Sequence, residues 1–454
     1  MKIILVGASL AAFLLDGSFV SAFPTFAFTR GSTCTASHTP PSAGPLSATA
    51  VNIDENAPRD IASFEQWATN CGVQRAEGIQ LTSQDGDDYF VTTTQSLPAG
   101  SPVLFVPNQM ILSSVAAEEE FRSPNLQQAE AQLAQADMRD QIPLFRLFVK
   151  ILSEYEKGDQ SPYFPWLNAM PRRYYNGVSM TYACFDCLPP YVSRLSKKER
   201  ERYKVCRDIL QRASLLDDAT TANKELVKFA YNAALTRSTV VGTRELRIAP
   251  MADMFNHGSA ETEVGITYDG EGNCLVTTSR DVPAGCPLRI SLGDGTDPSP
   301  LFAKYGFLDE SSPATYCKLL HLKKEMRDLR YDYSDLLFSI DGQISPAVYD
   351  VVLYSILDNA EYSSLRQKFY QACLAGNDAE KNQYHQQFLP YTLEALQKHV
   401  DGMLRTLDEL SDRARGYDLS THPRIPLILK HNEFVRNTFL NVKANVDAMC
   451  MNYA

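Results

Sequence analysis

Apolar positions first take helical spacing between Ile61 and Cys71, where Phe64, Trp67 and Ala68 share one face. The pattern then turns strand-like. Tyr89 to Thr94 and Val103 to Val106 read as strands, with a Pro98-Ala99-Gly100 turn between them and Pro107 closing the second. From Ala116 to Leu235 the pattern is helical: a polar stretch from Glu118 to Ala136, the apolar run Leu144 to Leu152, and helices over Ser196 to Leu215 and Ala222 to Leu235. Within it, Ser161 to Pro190 is aromatic and proline-rich, which predicts irregular chain. Strand signals return at Arg247 to Ala249, Val264 to Tyr268, Cys274 to Thr278 and Leu288 to Ile290, and Pro283-Ala284-Gly285 repeats the earlier turn. Beyond Pro313 the chain reads as mostly helical, over Val348 to Leu357, Tyr362 to Leu374, Tyr391 to Arg415 and Asn432 to Met449, with a break at Gly416 to Pro426.

Strands that bracket a helical stretch imply one composite α+β domain. The expected organisation is a β-rich core over 58–312 with a helical insertion at about 116–235, then an all-helical unit over 313–454. A chain of 454 residues suits two domains plus a leader.

The leader has its own signature. Lys2 precedes an apolar run from Ile3 to Leu15, short for a bilayer span, and small residues Ser21-Ala22 follow; this fits a signal peptide over 1–22. From Phe23 to Ile53 there is no acidic residue, Ser and Thr abound, and Pro40, Pro41 and Pro45 discourage regular structure. That is transit-peptide composition, assigned to a disordered segment over 23–57. The Ser21-Ala22-Phe23-Pro24 junction resembles the leader boundary of proteins sent to plastids of secondary origin. The expected location is the plastid stroma, with the secretory pathway as the alternative and no stable membrane insertion after processing.

A hydrophobic fraction of 44% and a charged fraction of 21% are those of a globular protein. The net charge of −11 argues against a general nucleic-acid binder. It is compatible with a basic protein substrate and equally with a merely solubilising surface. Ten cysteines over this length make no disulfide scaffold. Cys184 and Cys187 form a lone CxxC, read first as packed thiols near a surface hairpin, with a zinc site or a redox pair as weaker alternatives.

One ordered set of motifs changes the picture. Ala249-Pro250-Met251-Ala252-Asp253-Met254-Phe255-Asn256-His257 is followed by Asp281-Val282-Pro283-Ala284-Gly285 and then Lys304-Tyr305-Gly306-Phe307. Leu235-Thr236-Arg237-Ser238 lies upstream, and Pro423 to Glu433 lies in the tail. Together they resemble the SET domains of the Rubisco large-subunit lysine methyltransferase family, over nearly all of the chain from Phe64 to Met449. The resemblance implies a β-rich SET core with a helical insertion, a helical substrate-binding unit, S-adenosylmethionine as cofactor, and a protein substrate, Rubisco or another stromal protein. No metal is expected, because only Cys317 stands where some SET domains carry a three-cysteine zinc cluster.

By resemblance, Asn256, His257, Arg237 and Gly86 fall to the cofactor, Asp253 and Tyr268 to the substrate, and Tyr305 to catalysis as the channel tyrosine. A buried Asn256 amide suits an amino-acid head group, and Arg237 suits a carboxylate. Five of these also have a plain structural reading: Asn256 as a loop-closing asparagine, Arg237 as a surface arginine at a helix end, Tyr305 as a core tyrosine, Asp253 as an aspartate bonded to its own loop, and Tyr268 as a strand tyrosine. Methyl transfer requires a neutral amine. Deprotonating a lysine of ordinary pKa near pH 8 costs about 3 kcal/mol, which an apolar, aromatic channel lowers.

Three departures from the family pattern bear on turnover. Asp85-Gly86-Asp87-Asp88 replaces a Gly-x-Gly, leaving Gly86 alone to let backbone approach the cofactor. Leu292 replaces a channel tyrosine, and loss of one transition-state hydrogen bond costs about 3 kcal/mol. The segment near Asp297 lacks the family's asparagine. The competing readings are therefore a lysine methyltransferase, a related enzyme that methylates histidine, and a weakly active or inactive scaffold that binds protein.

Overall fold

The computed structural model describes residues 50–453 apart from 260, 261, 297, 317 and 318. The leader up to residue 49, Asp297 and Cys317 therefore lie outside the described residues. The architecture is α+β.

Its β part is a set of small sheets. Strands Gln74–Arg75, Pro102–Val106, Cys274–Thr278 and Val264–Tyr268 form a four-stranded antiparallel sheet in that spatial order. Cys274 faces Val106 across the long sequence interval between them. Along Cys274–Thr278 alternate residues are buried, so Cys274, Val276 and Thr278 form one core face. A hairpin pairs Ile79–Ser83 with Tyr89–Thr93, and a three-stranded sheet orders Leu112–Ser113, Glu245–Ile248 and Thr239–Val241. Asn256–His257 runs parallel to Arg289–Ile290.

Helices fill the chain from Ser114 to Arg237. Ile142–Glu156 packs against Lys224–Arg237, with Phe148 and Tyr231 edge to face at 5.4 Å. Lys224–Arg237 is capped by Asn223, whose side chain accepts from Leu226 N–H, and ends at Arg237 because Ser238 turns extended to enter the next strand. One hydrophobic core runs from Val51 to Ile290 through the sheets and the insertion. A second core, Leu319 to Val446, belongs to the tail. Among the described residues no helix is long and apolar enough to cross a membrane.

Several expectations need correction. The folded chain begins before Pro58: Val51 and Ala57 are buried, and Glu55 pairs with Arg424. Ser161 to Pro190 is not wholly irregular, because Phe164–Asn168 and Tyr182–Asp186 are single helical turns, the second capped by Thr181. The tail helix expected from Tyr391 starts at Asp378 and carries Pro390 in its interior. Its first turns are polar, so their hydrophobic period is weak. Tail strands Ala314–Tyr316 and Leu337–Ser339 pair in a region read as helical. Cys184 and Cys187 are not near a hairpin; they are fully buried in a small core with Phe302, Ala414, Ile425 and Ile428 where the tail meets the insertion. Burial pushes the Cys187 thiol up to about 11, opposite to what a reactive redox cysteine requires.

Candidate functional site

The strand ends, the helical insertion and the segment before the tail meet around one cleft of about 480 Å³. Its lining includes Arg237, Asp253, Asn256, His257, Tyr268, Leu292 and Tyr305, which are far apart in sequence. Gly86 is not part of that lining, although Asp85, Asp87 and Asp88 are.

Asp253 sits in the short 3-10 turn Ala252–Met254. Met251 just before it is held at φ +75°, a strained value for a residue with a side chain. Asp253 N–H donates to Ala249 at 3.0 Å, closing the turn. One carboxylate oxygen accepts from Trp166 Nε1 at 3.0 Å, while Oδ1 is buried without a partner. Burial raises the Asp253 carboxyl above the ordinary range, against the lowering influence of Arg237, Trp166 and Arg59. Arg237, the last residue of its helix, donates through Nη1 to the Asp253 carbonyl at 2.8 Å, and its Nε is buried without a partner.

Asn256 is exposed to the cleft, where the sequence suggested a buried amide. The parallel pairing to Arg289 fixes its backbone. His257 turns inward: its Nδ1 accepts from Leu292 N–H at 3.0 Å, and Asp309 lies 3.5 Å from Nε2. Burial lowers the His257 pKa, Asp309 opposing it, so the ring is a neutral brace with its proton on Nε2 at pH 7. Its ring lies 5.5 Å from that of Phe307.

Tyr305 ends helix Pro298–Tyr305, with the Phe307 ring at 6.1 Å and the Lys304 ammonium 4.8 Å from its own ring. What places it is Gly306. At φ +79° this residue lies so close to the Tyr175–Asn176 backbone that an added Cβ would sit 2.4 Å from Asn176 N. Fully buried Asn176 donates to the Lys304 carbonyl and to Asn232, both at 2.9 Å, tying the helix end to the insertion. Tyr268 is held by Arg247, 4.8 Å from its ring, and by a 3.4 Å contact to Thr239 Oγ1. Burial, seconded by Cys274, pushes its phenol up to about 12.

Three cleft residues escaped the sequence reading. Arg59 donates to the carbonyls of Ala169 and Asp87 and lies 4.8 Å from the Tyr89 ring. Burial, then the nearby charge of Arg237, depresses its pKa to about 10. Arg172 and Tyr174 come from the segment read as irregular, where the basic-aromatic run Arg172-Arg173-Tyr174-Tyr175 was the available signal. The aspartate run at 85–88 divides its labour. Asp85 is consumed by its own turn, accepting from the N–H groups of Asp87 and Asp88 at 2.9 Å, which lowers its pKa. Asp88 is raised by burial and by Asp85, with Arg59 and Arg237 opposing. Gly86 is glycine for its φ of +81°; an added Cβ there would meet nothing within 4 Å.

No protein-family model and no curated protein matches this sequence. Solved structures do. Rubisco LSMT bound to AdoMet is 13% identical with a TM-score of 0.57, over 87% of this chain and 93% of that one. The SET domain of LSMT bound to lysine and AdoHcy is 13% identical with a TM-score of 0.56, over 86% of this chain and 91% of that one. Rubisco LSMT bound to sinefungin and monomethyllysine is likewise 13% identical, with a TM-score of 0.56 over 86% and 92%. The chain has the fold of these SET-domain structures from its core to its helical tail.

Proposed function

We propose that this chain is an S-adenosylmethionine-dependent protein methyltransferase acting on a lysine of another protein. The observation that carries the reading is the meeting, in one cleft, of the unpartnered polar atoms of Arg237 and Asp253 with Asn256 and Tyr305. It occurs on a fold whose solved examples hold AdoMet in one case and lysine with AdoHcy in another.

The residues suit the cofactor. A zwitterionic amino-acid group needs a cation for its carboxylate, which the orphaned Nε of Arg237 offers. It also needs amide donors and acceptors, which Asn256 presents on the cleft surface. The cleft volume lies within the range of about 300–1,000 Å³ usual for small-molecule sites. Arg237, Asn256 and the backbone at His257 would hold the cofactor, which when bound supplies a methyl group activated by its sulfonium.

The remaining work falls to the wall. Leu292, Phe307 and the rings of Tyr268 and Tyr305 make an apolar lining that disfavours an ammonium and so promotes the neutral amine. Tyr268 keeps its proton at any physiological pH, so no phenolate is present to stabilise a charged lysine. The Tyr305 hydroxyl orients the amine lone pair, and the His257 brace keeps the Leu292 backbone against the Asn256–His257 strand.

A second reading rests on Leu292, which supplies no hydroxyl to the channel, and on Gly86, which lies outside the cleft lining. It is a protein-binding scaffold with weak catalysis. Calorimetric titration with S-adenosylmethionine, followed by labelled methyl transfer to a plastid extract up to pH 9, separates the two. Binding together with label on a protein lysine supports the enzyme. Binding without label supports the scaffold, and label on histidine redirects the substrate. The target is proposed to be a stromal protein because of the acid-free leader segment; a fluorescent fusion of residues 1–57 found outside the plastid would remove that part.

A further inference from the structure

Beside the cleft lies a group of buried, unpartnered donors that the methyl-transfer reading does not use. Its centre is Arg172, only 5% exposed. Nη2 of Arg172 donates to the carbonyls of Pro58 at 3.1 Å and Asn168 at 2.7 Å, and to Asn168 Oδ1 at 3.0 Å. Its Nε and Nη1 are buried without a partner, and so are the hydroxyls of Tyr155 and Tyr174. The two tyrosine rings stand edge-on to Phe229, each at 5.7 Å, which brings them to the same wall. Arg172 and Tyr174 also line the cleft, so the group borders it.

We propose that Arg172, Tyr155 and Tyr174 form a buried site for a small monovalent anion of the halide class. Charge balance separates an anion from water. The three acceptors bonded to Arg172, two carbonyls and an amide oxygen, are neutral, and no carboxylate among the described residues pairs with it. Burial keeps both phenols protonated, Tyr174 at about 12 and Tyr155 well above its usual range. A buried guanidinium with neutral partners alone is strongly disfavoured. Water would satisfy its hydrogen bonds and leave its charge uncompensated, whereas an anion answers both and accepts from the hydroxyls as well. The site does not rest on the methyl-transfer reading, since it is defined by unpartnered donors alone.

Crystals of the protein grown in sodium bromide, measured at the bromine edge, test it directly. An anomalous peak about 3.3 Å from Arg172 or a tyrosine hydroxyl is expected. Ordered water alone beside these donors overturns the proposal. In solution, bromide in place of fluoride at equal ionic strength should raise Tm by about 2–4 °C at tenfold saturation. Tyr155→Phe keeps the ring against Phe229 and removes one donor, so it should at least halve that shift. An equal response to the two halides, or an unchanged shift in Tyr155→Phe, also overturns it.

Discussion

Asp253, half-buried in the cleft, and Asp350, fully buried in the tail, are carboxylates that the protein treats in opposite ways. Asp350, 1% exposed, is saturated from within: Tyr331 donates at 2.7 Å, Lys381 at 3.0 Å and His385 approaches at 2.7 Å. Burial raises its pKa, but the bonds to His385, Tyr331 and Lys381 outweigh burial and leave the group lowered. Asp253 has one donor, Trp166, an unpartnered oxygen and a raised pKa. The two carboxylates thus differ in how far the fold itself satisfies them: Asp350 is fully bonded from within and Asp253 is not. Asp253 shares the cleft with other incompletely bonded groups, those of Arg172, Tyr174 and Arg237.

That contrast breaks most visibly in the tail. Asp350→Ala leaves Lys381 and His385 facing a buried void and should cost about 3–5 kcal/mol in denaturant unfolding. A loss under about 1 kcal/mol would show that the saturated cluster is no more structural than the open one. In the cleft, Tyr305→Phe should lower methyl transfer by roughly 100-fold with little change in melting temperature. A melting loss with full turnover would instead make Tyr305 a core residue. Asp253→Asn keeps the shape and removes a poorly satisfied charge. Its unfolding free energy should stay within about 1 kcal/mol of the native value while substrate affinity falls.

Acid titration gives the finest test, because the two groups carry opposite linkage. Asp350 is depressed, so its contribution is present above the unfolded value near about 3.9 and is lost as pH falls through its lower folded pKa. Asp253 is raised, so the stability of its neutral form is complete below about 3.9 and is lost as pH rises through its higher folded pKa. The stability difference between native protein and Asp253→Asn should therefore shrink on acidification toward pH 4. The difference for Asp350→Ala should hold there and fall only at lower pH.

Much of the molecule was legible beforehand. Val264–Tyr268 and Cys274–Thr278 match the strands read from the sequence, and Ile61–Asn70 and Ser363–Ala375 lie within a residue of the expected helices. Motif order placed Asn256, His257 and Tyr305 near one site, and the cleft does gather them with Arg237, Asp253 and Tyr268. Boundaries failed where the local signal was weak: the polar start of Asp378–Arg415, the single turns inside a proline-rich stretch, and a two-strand pair made by residues distant in sequence.

By itself the sequence determined the periodic elements, the α+β class and the residue types available for chemistry, because spacing and side-chain identity are local properties. Tertiary structure alone decided which polar groups are satisfied. Asn176 reaching Lys304 from the insertion, Arg59 and Arg172 entering the cleft from outside every motif, and Gly306 packed on the Tyr175–Asn176 backbone are all long-range contacts. Whether a buried donor or charge is balanced depends on what the fold brings to within about 3 Å of it, and a linear pattern does not encode that distance.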